Sequence, residues 1–488
     1  MTVFLGVITK GSQIINADGD LALHVAVGNY ILDTGKIPLE DVFSHTMNGL
    51  PYTPHEWLSE VLFAISTRIM GLDGAILLTA LVISFAFWLT YKNSSRGSGS
   101  FFALLFSLFL AILASAIHWL ARPHIFTFLL LALWLIVLER IRNGQFRSAW
   151  LLPIIMLFWV NLHGGYMTGI VTWILFGVGI FIDAYLFGHS DDTPVPVHFW
   201  RYYLAGGIAA LVATLANPSG IGLWKTNFRF LSNDFLVNHT EEYLSPNFHN
   251  PDFLPFLFFV TVMALIIGMK KGRVRGDWLI PSAAWLAMAL YSARNIPLFV
   301  IISAPLMIEG LEDLLSQGSE KFKFISKIKN RDEKLFVLNK SVQGILFLLL
   351  VVVLVTAGLN CGIKFDKAQI GNRFDPEKFP VAAVSWLEEN PQEGEVFNYY
   401  LWGGYLLLRE WPDVKVFIDG KIDFYGEELT REYLAVASVN PDWEEILQKY
   451  GVDWVIFPVN EPLSDTIRQD ESWFIVYEDT TSLIARRK

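Results

Sequence analysis

The sequence predicts a polytopic α-helical membrane protein of about ten transmembrane helices, ending in a small extracytoplasmic α/β domain. Three observations carry this. Of 488 residues, 53% are hydrophobic and only 17% charged, with a mean hydropathy of +0.42. The apolar residues gather into long runs up to residue 360, and from Cys361 onward the composition becomes that of a soluble domain. A soluble enzyme carries roughly 25% charged residues, so the shortfall is what lipid-facing helices produce. The same figures exclude disorder and a disulfide-stapled fibre. Lys and Arg total 37 against 47 Asp and Glu, a net charge of −10. That balance offers no basic surface to grip a phosphodiester backbone, so nucleic acid is excluded as a partner. The single cysteine, Cys361, cannot close an internal disulfide.

A run of about 20 apolar residues crosses the hydrocarbon core. Candidate runs lie near 74–91, 101–120, 124–139, 149–161, 165–187, 202–216, 253–269, 278–293, 296–311 and 342–360. Several are short, 149–161 above all. Short runs point to broken or paired helices around a cavity, because irregular backbone at membrane depth persists only where protein or water satisfies it. Lys and Arg resist translocation. Before Cys361, seventeen of them fall on one set of alternate connections and seven on the other. The first set, which includes Lys92, Arg140, Arg142, Arg147 and the basic stretches 270–275 and 321–340, is therefore cytoplasmic. Residues 1–73, 217–252 and the tail 361–488 are then extracytoplasmic, flanking a membrane domain at 74–360. Residues 1–9 are too few to span and lack the charged start of a signal peptide.

In the tail, β-like runs at Val396–Tyr399, Lys415–Asp419, Asp453–Phe457, Trp473–Glu478 and Ser482–Ala485 alternate with helix-like stretches such as Pro441–Tyr450. Asp442 and Glu444 suit the start of that helix. The glycines of Trp402-Gly403-Gly404-Tyr405 match neither nucleotide-binding fingerprint. Trp402 and Tyr405 read as core, or with Asp419 and Asp423 as an acceptor surface. The acidity is concentrated here: residues 1–360 hold 24 Lys and Arg against 23 Asp and Glu, whereas 361–488 hold 13 against 24. Such a module is expected to stand off an anionic membrane surface.

The polar clusters of the membrane part all fall on the extracytoplasmic side. Ionisable residues beside membrane spans are costly and mark functional cavities. Asp18-Gly19-Asp20 is turn sequence, yet it opens a helix-like stretch, Leu21–Leu32, that sets Asp20 and His24 one turn apart on one face. His55 and Glu56 either cap a helix beginning near Trp57 or face the cavity. They do not form a zinc-protease motif, because Ser59 stands where the second histidine would be. Arg122, beside Pro123 and His124, either snorkels or captures a phosphate with its planar fork. Asn161 and His163 are core polar residues or cavity lining. Arg294 suits a phosphate or a lip anchor, and Glu241 and Glu242 are solvated unless one of them serves the site. A lipid-phosphate-linked sugar fits this set. Its tails stay in the bilayer, its phosphate meets Arg122 or Arg294, and His24, His55, His124 and His163 shape the site. A carboxylate would take the proton from the acceptor.

The stretch DGDLALHVAVGNYILDTGKIPLEDVFSHTMNGLPYTPHEWLSE resembles the first outer loop of bacterial membrane glycosyltransferases of the C superfamily. That group includes protein mannosyltransferases and lipid A aminoarabinose transferases. The pieces ARPH, NLHGG, EEYLSP and ARNIP, and WGGYL and VFIDGKIDFYG in the tail, are similar to a branch of it. The resemblance implies a GT-C-like fold, a polyprenyl-phosphate sugar as donor and an extracytoplasmic glycan, lipid or protein as acceptor. It also implies Asp20 as the base, since the family's essential Asp is followed at a set spacing by a Gly, as Asp20 is by Gly35. Two departures stand out. The family's acidic pair is adjacent, whereas Leu21 follows Asp20 here, so the second carboxylate comes from Asp18, Glu56 or the Glu241 and Glu242 pair. The family also places a transmembrane helix ahead of this loop. Most members with such donors need no metal, and none is expected, although an oligosaccharyltransferase-like branch holds a divalent cation between carboxylates. The alternative reading is a sugar-lipid-binding scaffold without chemistry. A transporter fits less well, because its binding residues would lie near the midplane, often with internal repeats.

Overall fold

The computed structural model describes residues 2–94, 100–186, 197–270, 274–341 and 372–488. Two short helices, α1 (Thr2–Thr9) and α2 (Gly11–Ile15), lead into α3 (Asp20–Thr34) and α4 (Trp57–Met70). There follow α5 (Leu72–Ser94), α6 (Phe101–Ser115), α7 (His124–Arg142), α8 (Leu151–Leu162), α9 (Met167–Phe181), α10 (Val197–Ala213), α11 (Gly222–Leu231), α12 (Asp234–Asn238), α13 (Leu254–Met269), α14 (Gly276–Tyr291), α15 (Ile296–Lys321) and α16 (Lys323–Ser341).

Two helices form the centre of this bundle. α7 buries residues all round its circumference, from Ile125 through Trp134 to Ile141, and α15 does the same over its first half, Ile296 to Ile308. A helix apolar on every face belongs inside a core or in lipid. α13 takes the second course: it is as apolar as α7, yet Leu254, Leu257, Phe258 and Leu265 stand exposed. Among the described residues, five stretches are long and apolar enough to cross a membrane: Leu72–Ser94, Phe101–His118, His124–Arg142, Gly164–Tyr185 and Pro251–Met269. These match five of the ten runs read from the sequence. Four other runs form helices of a different kind. α8 has 12 residues, α14 has 16 and α10 has 17, while α15 has 26 but carries charges along its second half. At 1.5 Å per residue, 12 residues span only about 18 Å, short of the roughly 30 Å hydrocarbon core. The run 342–360 and the junction at Cys361 lie outside the described residues.

The tail forms a small α/β unit. Its elements are α17 (Val381–Glu389), β1 (Glu395–Asn398), α18 (Gly403–Glu410), α19 (Ile422–Ala437), α20 (Trp443–Lys449), β2 (Val452–Pro458), α21 (Pro462–Gln469), β3 (Trp473–Glu478) and β4 (Ser482–Arg487). The sheet order is β1-β2-β4-β3, with β1 parallel to β2 and β4 antiparallel to both its neighbours. Strand alternation sorts the side chains to two faces. Val396, Trp454, Ile456 and Ile484 join Trp402, Tyr405 and Leu406 on one side. Phe397, Val455, Phe457 and Leu483 join Leu429 and Tyr433 on the other. Trp402 and Tyr405 are thus core.

The run Lys415–Asp419 is not a strand of this sheet. The buried side chain of Asn398 takes the place of a neighbouring strand, accepting from the Phe417 amide at 2.8 Å and donating to the Ile418 carbonyl at 2.9 Å. The backbone of Val416 pairs instead with the first loop: its N–H donates to the Phe43 carbonyl and its carbonyl accepts from His45, both at 3.1 Å. The acidic tail therefore does not stand apart. It is stitched to the loop that carries the Asp-Gly-Asp motif, and α18 packs along α3.

Candidate functional site

The site is assembled from two clusters that share α3. Asp18 precedes the helix and accepts from the Asp20 amide at 2.9 Å. Asp20 is the first helical residue, where a carboxylate is favoured by the helix dipole. Arg122 sits in the turn before α7 and reaches Asp18 Oδ2 with its Nε at 2.9 Å and a terminal nitrogen at 2.5 Å. Its other terminal nitrogen lies 3.1 Å from Asp20 and 3.5 Å from Glu242. Glu242 then meets Arg294 at 3.2 Å, and the Arg294 guanidinium lies 4.3 Å from the centre of the Tyr243 ring. The two short turns that carry these residues are tied together, since the Ala293 amide donates to the Leu244 carbonyl at 2.9 Å.

Burial pushes the Asp20 carboxyl up to about 6, with Arg122 opposing and Asp18 adding to the rise. Burial would also raise Glu242, but Arg294 and Arg122 outweigh it and hold the carboxyl down to about 2. Arg122 itself is desolvated, yet its carboxylate partners Asp20 and Asp18 keep it firmly charged. One carboxylate is thereby poised near neutral pH, beside two fixed cations.

The second cluster begins one turn along α3. His24 faces Glu60 and Glu56 across the contact of α3 with α4, its Nδ1 lying 3.5 Å from Glu60 and 3.9 Å from Glu56. Gly28 makes this approach possible: a Cβ there would fall 2.1 Å from the Glu60 carbonyl oxygen. Glu56 Oε1 also lies 3.6 Å from His163 Nε2 and 3.8 Å from His55 Nε2. Nδ1 of His163 accepts from the Gly165 amide at 3.0 Å and lies 2.8 Å from the Thr127 hydroxyl, which itself accepts from Trp159. A ring nitrogen that accepts an amide proton carries none of its own, so the neutral His163 ring bears its proton on Nε2 and offers it to Glu56. His124 donates through Nε2 to the His118 carbonyl at 2.8 Å, and its ring lies 6.4 Å from that of His163.

The tail supplies the remaining charge. Lys421 Nζ lies 2.7 Å from Glu60 Oε1 and contacts the Tyr52 hydroxyl. Burial would raise the Glu60 carboxyl, but Lys421 and then His24 hold it down to about 2. Next to Lys421, the Gly420 backbone lies against Asp20, and a Cβ at that position would come within 2.5 Å of the carboxylate. Asp419 is buried and shapes this loop, accepting from the Lys421 amide at 2.9 Å and the Tyr425 hydroxyl at 3.0 Å. Asp423 faces His55 at 3.9 Å.

The structure therefore gathers Asp18, Asp20, His24, His55, Glu56, Arg122, His163, Glu242 and Arg294 around one region. Three candidates behave differently. His124 spends its Nε2 proton on the His118 carbonyl. Glu241 is exposed. Asn161 is buried and fully occupied: its amide donates to the Leu157 and Ala216 carbonyls and its oxygen accepts from Trp57, each at 2.8 Å. It clasps the end of α8 to α4 and to the turn after α10. Sequence reasoning missed Glu60 and Lys421. Glu60 had a signal, lying four residues after Glu56 and so on the same helix face. Lys421 had a weaker one, as the lone basic residue of VFIDGKIDFYG.

No family model and no curated protein matches the sequence. Solved structures do. ArnT from Cupriavidus metallidurans bound to undecaprenyl phosphate superposes with a TM-score of 0.53 at 15% identity, over 99% of this chain and 96% of that one. The Archaeoglobus fulgidus oligosaccharyltransferase in its apo form gives 0.56 at 12% identity, over 100% and 74%. AglB from the same organism, in complex with an inhibitory peptide and a dolichol-phosphate, gives 0.53 at 13% identity, over 94% and 69%. At these identities the likeness establishes the fold alone, one shared with ArnT and the oligosaccharyltransferase.

Proposed function

We propose that this protein is an integral membrane glycosyltransferase, moving a sugar from a polyprenyl-phosphate donor to a glycan, lipid or protein acceptor on the extracytoplasmic side of the membrane. The observation that carries this reading is the poised carboxylate of Asp20 set 3.1 Å from Arg122, in a fold shared with proteins bound to undecaprenyl phosphate and dolichol-phosphate. The acceptor oxygen attacks the anomeric carbon, and the bond from that carbon to the phosphate oxygen breaks with its electron pair leaving on the phosphate. Asp20 takes the acceptor proton, and the configuration inverts. Arg122 and Arg294 hold the phosphate and stabilise the charge it gains. His55 and His163 fix Glu56, and Asp18 orients Arg122.

A second reading also has an observation in its favour. Asp18 and Asp20 both engage Arg122, as they would in a protein that binds the lipid-linked sugar without turning it over. Asp20→Asn separates the two. In a transferase this variant binds donor and loses transfer. If transfer by Asp20→Asn equals that of the unmodified protein, the assignment of Asp20 is wrong. If the unmodified protein binds donor but transfers to no acceptor, the scaffold reading stands.

A further inference from the structure

We infer that α16 is an interfacial helix that docks on anionic phospholipid headgroups at the end of the bundle opposite Asp20. α15 ends at Lys321, and the chain reverses through Phe322 into α16. The reversal is close: a Cβ on Gly318 of α15 would fall 2.7 Å from Ile325 Cδ1. Lys329 Nζ lies 3.5 Å from Ser316 Oγ of α15. The buried carboxylate of Asp332 accepts from the Phe102 amide at 2.6 Å, satisfying one of the free N–H groups that open α6. Ile325, Lys329 and Asp332 are spaced i, i+4, i+7, which is one face of a helix. That face is fixed on α15 and α6.

The other face is basic. Lys323, Lys327, Arg331 and Lys334, at i, i+4, i+8 and i+11, are all exposed, and none forms an ion pair with a described residue. Residues 321–340 hold seven Lys and Arg against two acids, and one of those acids, Asp332, is turned inward. Beside this row stand Phe324, which is 74% exposed, and exposed Leu335. A helix that joins Lys and Arg to bare Phe and Leu has the pattern of one lying in a headgroup layer. Its lysine stems cover apolar surface while the ammonium groups reach phosphate. Attraction to anionic lipid falls off within a Debye length, so depth decides whether the pattern is used. Phe102 is the second residue of Phe101–His118, a stretch long and apolar enough to cross a membrane. Its bond to Asp332 therefore sets α16 where α6 enters the bilayer. The far end of α6 leads to Arg122, 3.1 Å from Asp20, so the span of α6 separates α16 from the site. Exposed Trp150 and exposed Trp88, with Lys92 Nζ 4.3 Å from its ring centre, lie toward the α16 end, as indole rings do at a membrane–water boundary. A soluble acidic partner would satisfy the basic row but not Phe324 and Leu335 at that depth; lipid satisfies both. The inference does not depend on the proposed function.

The test uses the full-length protein in a neutral detergent, titrated with phosphatidylglycerol or phosphatidylcholine, with retained lipids counted by native mass spectrometry. Bimane carried on Phe324→Cys, in a Cys361→Ser background, reads depth in nanodiscs of the two lipids. Phosphatidylglycerol should be held about tenfold more tightly than phosphatidylcholine, and Lys327→Glu with Lys334→Glu should remove most of that preference. Lys36→Glu with Lys488→Glu makes the same change of charge on exposed residues of the first loop and the tail, and should retain lipid as the unmodified protein does. The bimane should be quenched by spin-labelled lipid and shielded from aqueous iodide. Equal retention by the Lys327 and Lys334 variant and the unmodified protein overturns the inference, as does a bimane reached by iodide and not by lipid. A dimer that the same charge reversal splits would assign the face to a second copy of the chain and overturn it too. Neither readout involves sugar transfer, so the outcome leaves the proposed function untouched.

Discussion

Two ends of the helical bundle carry buried charge, and they use it differently. At the end opposite Asp20, Arg275 grips Glu139 with two hydrogen bonds of 3.1 and 3.0 Å and Asp277 with two of 3.1 and 2.6 Å. Arg142 approaches the same Asp277 at 3.5 Å. Two cations there meet two carboxylates, and the result is a rivet between α7 and α14. At the Asp20 end, carboxylates outnumber fixed cations, and imidazoles stand 3.5 to 3.9 Å from the acids. Charge near a membrane span is thus no sign of function in itself. An excess of carboxylates with imidazoles set among them distinguishes the Asp20 end from this clamp.

Paired substitutions test that contrast most sharply. Asp20→Asn should lower transfer by about 10²–10⁴-fold, the usual worth of a general base. It should leave thermal stability unchanged or higher, because a desolvated carboxylate has been removed. Arg275→Gln should do the reverse, lowering stability by about 1–2 kcal/mol, less than for a fully buried pair because the Arg275 side chain is 38% exposed, with transfer per folded molecule unchanged. If both variants lose activity and stability together, the two ends are not different in kind.

Lys421→Met should destabilise by about 3 kcal/mol, since buried Glu60 would lose its fixed counter-charge and keep only His24 beside it. Lys421→Met with Glu60→Gln should recover most of that loss in the same melts; no recovery would mean that Lys421 acts elsewhere. Next in size, Arg294→Lys should raise the donor concentration needed for half-maximal transfer by about tenfold, through loss of the planar fork and of the stacking on Tyr243. Titration of transfer rate against donor reads this directly.

The pH dependence separates function from stability. Asp20 must be ionised to accept a proton, so transfer should fall as pH drops through about 6. Glu60 moves in the other direction: its carboxyl is held at about 2, below the 4.5 of the free group. Its contribution to stability is complete above pH 4.5 and is lost only as pH falls toward 2. Between pH 4.5 and about 6 the protein should stay folded and inactive, which transfer assays and melts over one pH series will show. A modest loss of stability is expected from Asn398→Ala, about 1–3 kcal/mol for the backbone groups of Phe417 and Ile418 left without partners.

Much of the site was legible in the chain. Asp18, Asp20 and His24 announce themselves by a turn motif followed by a helix-like stretch, and Arg122 and Arg294 by being charged at the ends of apolar runs. What sequence cannot register is which partner a polar group finds. Asn161 read equally as core or as cavity lining, and its hydrogen bonds go to backbone and to Trp57. Lys415–Asp419 has the alternation of a strand, but the role of its sheet neighbour falls to a side chain, Asn398, and its ladder partner is the first loop. Glu60 and Lys421 become a pair only through a contact between residues 361 positions apart. The helix count was least legible, because apolar runs fix where a chain can enter lipid but not how long each helix grows.

The stitch between Val416 and the Phe43 to His45 backbone also sets a schedule. Tyr52 and Lys421 are separated by 369 positions, so at synthesis rates of about 5–20 residues per second, roughly 20 to 70 s pass between the emergence of the first loop and of its last partner. Throughout that interval α3 and α4 hold an acid whose counter-charge has not yet been made. The first loop is therefore among the last segments to settle, and a chain cut short anywhere before residue 421 has no means of finishing it.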